Sequence, residues 1–98
     1  MLVVLRPEAE QELLEARDWY EAKAPGLGFE FARAADAAVA SALRNPFGHL
    51  RIEAEFRRVL FRKFPYTLIY LPSPDELLVV SFFHHHREPA VWLERLNS

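Results

Sequence analysis

Two short segments hold most of the side chains able to do chemistry: Arg57-Arg58-Val59-Leu60-Phe61-Arg62-Lys63 and His84-His85-His86-Arg87. On an extended strand, Arg58 and Arg62 fall on one face and Arg57 and Lys63 on the other. Guanidinium groups clustered in this way can clamp a phosphate or a partner's carboxylates, because their fork geometry makes paired hydrogen bonds. The plainer reading is an edge strand kept from aggregating by its charge. Alternation along a strand lets only His84 and His86 act together out of the histidine run. A zinc site needs three or four ligands, and the remaining histidine, His49, falls in a loop, so no metal is expected. A histidine titrating near neutrality can move protons, with Arg87 steadying negative charge that develops on phosphorus. Equally, one histidine can pack inside while its neighbours face solvent.

Other enzymatic signatures are missing. The sequence has no GxGxxG, no GxxxxGK[ST] and no HExxH, and its serines lie outside any nucleophile elbow. No cofactor is expected. An enzyme made from this chain works with Arg, Lys, His and Tyr alone, which suits metal-independent RNA cleavage in which the substrate's own 2′-hydroxyl attacks.

The frame that must position these residues is small. Ninety-eight residues form one domain, 1–98, and 51% of them are apolar. Such a domain buries only about 60 to 65% of the surface its unfolded chain exposes. Two Trp, three Tyr and eight Phe are many aromatics for so thin a core, and an exposed apolar groove for a partner segment is expected. The chain has no cysteine, so disulfides and thiolate sites are excluded and a cytoplasmic setting is expected. No apolar run reaches the roughly 18 residues of a membrane span, and the N-terminus lacks the pattern of a signal peptide. A formal charge of -2 argues against coating nucleic acid by bulk electrostatics. That total conceals acidic residues gathered in the first half and the basic run Arg51, Arg57, Arg58, Arg62, Lys63 in the second, which predicts a basic sheet edge.

Periodicity predicts the elements. Met1 to Leu5 reads as a strand. Pro7 opens a helix to about residue 23, with Glu8, Glu10 and Glu12 near its positive end and Ala9, Leu13, Ala16 and Tyr20 on one face. Ala24-Pro25-Gly26 is a turn, and a second helix runs from Leu27 to near Asn45-Pro46, where proline disfavours further helix. Phe56–Phe64, Tyr66–Leu71 and Leu77–Phe83 read as three antiparallel strands joined by Pro65 and by Pro72-Ser73-Pro74-Asp75. Residues 89–96 could form a short terminal helix. The order β-α-α-β-β-β gives an α+β fold: a helical hairpin on one face of a mostly antiparallel sheet, with that short C-terminal helix.

These residues resemble a family, the RelE/ParE superfamily of toxins from bacterial type II toxin–antitoxin modules, whose members include plasmid stabilisation proteins. The resemblance rests on RPEAEQELLEARDWYE, FEFARAADAAVASALRNP, RRVLFRKFPYTLIYL and VVSFFHHHREPAVWLERL, which together span nearly the whole chain. Most specific is Arg57-Arg58 followed by Phe64-Pro65-Tyr66, an aliphatic strand, and His84, Arg87, Pro89 and Trp92 in the spacing His-x-x-Arg-x-Pro-x-x-Trp.

The resemblance implies a growth-inhibiting toxin in a hetero-oligomer with a cognate antitoxin, whose C-terminal segment wraps it. RelE-like members cleave messenger RNA on the ribosome, using basic residues and a tyrosine or histidine near the C-terminus. ParE-like members bind and poison DNA gyrase and lack that set. This chain resembles the ParE-like branch, because Arg87 is followed by Glu88-Pro89 and Trp92 and no tyrosine lies after Tyr70. On that reading it is not an enzyme, and Arg57, Arg58, Arg62, Arg87, Trp92 and Arg95 are the expected target contacts. The alternative is a ribosome-dependent endoribonuclease, with Arg58, Arg62, Lys63 and Arg87 holding phosphate and His84 or His86 moving protons.

Overall fold

The computed structural model describes residues 1–86. Arg87, Trp92, Arg95 and the expected terminal helix over 89–96 lie outside the described residues. Within them the chain forms β1 (Leu2–Leu5), α1 (Pro7–Lys23), α2 (Leu27–Arg44), β2 (Arg51–Glu53), β3 (Phe56–Leu60), β4 (Tyr66–Pro72) and β5 (Glu76–His84). This is the expected α+β order with one short strand, β2, added. The five strands form one sheet in the order β1-β5-β4-β3-β2. β1 pairs parallel with β5, from Leu2 opposite Glu76 to Leu5 opposite Val79, and the other pairings are antiparallel.

Proline supplies the preset backbone angle at the start of α1, Glu8 and Glu10 lie in its first turn and Lys23 in its last, matching the helix dipole. Ala9 and Ala16 are buried, with Leu13 and Tyr20 half-buried beside them. On α2 the buried positions Phe31, Ala35, Ala38 and Ala42 keep helical spacing. The turn between the helices needs Gly26, whose φ is 88°. Glu21 reaches across from α1 to accept the Gly26 and Gly28 backbone N–H groups, each at 3.0 Å, so one helix caps the other.

The helices cover one face of the sheet. There Phe31 lies stacked on Tyr20 at 5.2 Å between ring centroids and meets Phe61, Phe64 and Tyr66 at 5.6, 5.2 and 4.9 Å. Leu68, Tyr70, Leu77, Val79 and Phe82 complete this core. Ile69, Val80 and Phe83 form a second cluster with Ile52, Phe56 and Leu78, on the opposite face. Because β5 lies between two strands, its run Leu77–Phe83 is buried throughout apart from the half-buried Leu78, as a central strand requires.

One departure from the expected strands matters for the site. β3 ends at Leu60 rather than Phe64. Phe61 turns into the core, its N–H still reaching the Tyr66 carbonyl at 2.9 Å, and Arg62 to Pro65 form the bend into β4, with Lys63 at a φ of 69°. A strand continued through Phe64 would carry that ring away from the aromatic cluster around Phe31, so packing overrides the run's strand propensity.

Candidate functional site

Among the described residues, the histidines of the run together with Arg58 and Arg62 are distributed over three surface hollows. The largest, a groove of about 690 Å³ between α1 and the ends of β4 and β5, is lined by Glu12, Glu15, Ala16, Trp19, Tyr20, Pro65, Tyr66, Phe82, His84 and His86. The reason His84 faces α1 lies in β5. Ser81 pairs with Ile69, but Val79 pairs with Tyr70, so Val80 is an extra residue in the ladder. A bulge of this kind shifts the strand's alternation by one. Val79 faces the helices before it and Phe82 and His84 face them after it; without it, His84 would point to the other face.

The groove is aromatic and acidic. His84 lies edge-on to Tyr66 at 5.0 Å and to His86 at 4.8 Å. The His86 backbone N–H donates to His84 Nδ1 at 3.0 Å, which places the proton of a neutral His84 ring on Nε2. Glu12, 8% exposed, accepts from Ser81 Oγ at 3.0 Å and from the Phe82 N–H at 3.2 Å through Oε1. Trp19 is 56% exposed, with the Lys23 ammonium 4.6 Å from its ring centre.

The second hollow, about 510 Å³, opens on the opposite face and is lined by Leu50, Ile52, Arg58, Leu60, Thr67, Ile69, Phe83 and His85. Here His85, the histidine turned away from its neighbours, has Nε2 2.8 Å from Thr67 Oγ1 and donates its backbone N–H to the Pro65 carbonyl. Among the described residues, no hydrogen-bond partner meets the buried Nε atom of Arg58. The third, about 330 Å³, lies between α2 and β3, with Ala34, Ala37, Ala38, Ser41, Arg44 and Val59 to Arg62 around it.

Arg58 and Arg62 therefore do not share a face, as a strand through Phe64 predicts. Arg58 is on the open face, while the bend after Leu60 brings Arg62 beside α2. Arg57, opposite Tyr70 in the ladder, serves the loop after α2. Its Nη1 donates to the His49 carbonyl at 2.7 Å, its guanidinium lies 5.8 Å from the Phe47 ring centre, and Tyr70 Oη donates to the Pro46 carbonyl at 2.8 Å. Burial pushes the Tyr70 phenol above its ordinary value of 10.0, and Arg57 pulls it partly back. Lys63 is exposed in the bend. His84 and His86 meet each other, but carboxylates rather than Arg58, Arg62 or Lys63 share their groove.

Glu12 is not legible in the sequence as a groove residue, since a glutamate in the first turns of a helix reads as a dipole partner. A clue was available: position 12 adjoins Ala9, Leu13 and Ala16 on the buried face. Among the described residues no group of three or more His, Cys, Asp or Glu side chains could hold a metal ion, and no helix is long and apolar enough to cross a membrane.

A family model described as the ParE toxin of type II toxin–antitoxin system, parDE, matches residues 3–89. No curated protein matches the chain. Among solved structures, one from the chromosomal ParDE toxin–antitoxin system of P. aeruginosa is similar in fold, with a TM-score of 0.73 at 14% identity, over 86% of this chain and 95% of that one. With the β-α-α-β-β-β-β order and a family match over nearly its whole length, the chain belongs to the ParE toxin family of type II toxin–antitoxin systems.

Proposed function

We propose that this toxin arrests growth by binding DNA gyrase and that a cognate antitoxin neutralises it in a hetero-oligomeric complex, both in the cytoplasm. The observation that carries a binding rather than a nuclease reading is the company of the two histidines. His84 and His86 share their groove with Glu12 and Glu15, and carboxylates repel the phosphate backbone that a nuclease must hold. Among the described residues, the guanidinium groups that would hold RNA, Arg58 and Arg62, face other hollows. Arg58 and Arg62 are the proposed target contacts within the described residues, with Arg87, Trp92 and Arg95 beyond them. Arg57 is committed to the Phe47–His49 loop and acts by holding that loop.

A second reading keeps one observation in its favour. On the open face Arg58, Thr67 and His85 line one hollow, which puts a phosphate-binding group and an imidazole together for ribosome-dependent cleavage of messenger RNA. Induction of the toxin in cells separates the two. Gyrase poisoning predicts DNA damage with intact transcripts; codon-positioned cuts in translated messages without DNA damage would overturn it in favour of the nuclease.

A further inference from the structure

Both edges of the sheet are short strands, and they are unlike. β2, at one end of the strand order, is Arg51-Ile52-Glu53, charged in the way that keeps an edge from pairing with another chain. β1, at the other end, is Leu2-Val3-Val4-Leu5. Its register against β5 is unbroken, and it lacks the charge, proline and bulge that blunt an edge. The Leu2 N–H donates to the Asp75 carbonyl at 3.1 Å and the Arg6 N–H to the Val79 carbonyl at 3.0 Å. Main-chain groups alternate in direction along a strand. The N–H and C=O groups of Val3 and Leu5 therefore point away from β5, where among the described residues no strand lies.

Those two outward residues flank Val4. A second β1 running antiparallel about a two-fold axis through Val4 sets Val3 of each copy opposite Leu5 of the other, where each pair exchanges both main-chain hydrogen bonds. The strand is its own complement. Val3 and Leu5 pack toward the helices, so Leu2, Val4 and the extended Arg6 fall on the open face, with Glu76 beside Leu2 and Leu78 beside Val4 on β5. In this register Val4 meets Val4, and Arg6 of one copy lies opposite Leu2 of the other. Glu76 is one strand further on, about 9.5 Å from that Arg6 at twice the strand spacing, which two long side chains can bridge across Leu2. Each copy offers a guanidinium group where the other has a carboxylate. On the helix side, a hollow of about 310 Å³ between β1 and α1, lined by Leu5, Pro7, Glu10, Gln11 and Leu14, faces its twin across the axis. Leu2 and Leu14, 66% and 40% exposed, lie along this contact.

We propose that two copies of this chain associate through β1, joining two five-stranded sheets into one continuous sheet. This contact is independent of the toxin's target. Because β3 lies toward the opposite end of the strand order from β1, Arg58 and Arg62 stay uncovered near the two outer edges. The pair presents its proposed target contacts twice.

Sedimentation equilibrium of the full-length chain over a concentration series, with amide exchange read at Val3 and Leu5, tests the contact. A concentration-dependent dimer is expected, with both N–H groups protected in the dimer and exchanging quickly in the monomer. Glu76→Arg and Arg6→Glu are each expected to weaken the dimer about tenfold, since the two-fold axis repeats each lost pair. The double variant restores it, because the charges are exchanged rather than removed. Val3→Pro removes an outward donor at a position where an edge strand tolerates proline. It is expected to leave a monomer with a wild-type circular dichroism spectrum. A chain that stays monomeric up to about 1 mM overturns the proposal. So does a dimer with Val3 and Leu5 still in fast exchange, or one indifferent to all three single variants, since its contact lies elsewhere. Protection of Val3 and Leu5 that arises only with antitoxin bound gives this edge to the antitoxin and overturns it as well.

Discussion

Glu12 and Ser81, 69 positions apart in the chain, meet at 3.0 Å inside the protein. The same carboxylate oxygen accepts the Phe82 N–H, so α1 is tied to the strand residue immediately after the bulge that turns His84 toward it. Replacing Glu12 by Ala strands a buried hydroxyl and a buried amide, and is expected to lower stability by about 2–3 kcal/mol. Ser81→Ala removes one donor only and is expected to lower it by about 1 kcal/mol. Glu12→Gln keeps an acceptor and falls between wild type and Glu12→Ala. Urea denaturation midpoints give the order, and equal losses for Glu12→Ala and Ser81→Ala would contradict this assignment.

The two helices approach closely where Gly28 faces α1. A methyl group at residue 28 would lie 2.6 Å from the Arg17 carbonyl oxygen and 2.9 Å from Glu21 Cβ. Gly28→Ala must push the helices apart, with a loss of about 1–3 kcal/mol typical of overpacking. Gly26→Ala meets nothing within 4 Å, yet its left-handed backbone makes it unfavourable by about 1–2 kcal/mol. Thermal melting of both variants is the check; a wild-type melting temperature for Gly28→Ala would show that the hairpin is looser than described.

Tyr70 sets a limit at high pH. Its phenol titrates above 10.0 in the folded protein because it is buried, so the native state holds that proton longer than the unfolded chain does. The contribution is complete below pH 10.0 and is lost as pH rises through the higher native value. Tyr20, also raised by burial, acts in the same direction but is common to wild type and to Tyr70→Phe. The variant is expected to be about 1 kcal/mol less stable at neutral pH, where the Pro46 carbonyl loses its donor, and to lose stability less steeply above pH 10.0. Parallel pH–stability curves would contradict the shift.

If the histidine pair does no chemistry, His86→Ala leaves toxicity on expression unchanged and transcripts intact, as in wild type. Primer extension on translated messages reads the second outcome. Cuts present in wild type and abolished in His86→Ala would instead make His86 catalytic.

Much of this fold is legible in the sequence because its strongest signals are local. Pro7, the Pro25-Gly26 turn and Asn45-Pro46 bracket two helices that the structure places at Pro7–Lys23 and Leu27–Arg44. β2 escapes because three residues, Arg51–Glu53, alternate too briefly to register, and the strand exists only through its pairing with β3. The end of β3 escapes for a different reason. Phe61 and Phe64 look like strand residues, but the aromatic cluster around Phe31 draws both inward and bends the chain between them. That bend separates Arg62 from Arg58, and no local pattern announces it. The bulge at Val80 lies in an unbroken apolar run, where alternation cannot be seen, so the sequence pairs His84 with His86 correctly without revealing which face they take or that Glu12 waits there.

A supercoiling assay with purified gyrase, relaxed plasmid and increasing amounts of this toxin tests gyrase binding most directly. Gyrase binding predicts that supercoiling is lost as toxin exceeds gyrase and returns when the antitoxin is added. Full gyrase activity at excess toxin that still arrests growth in cells would contradict it.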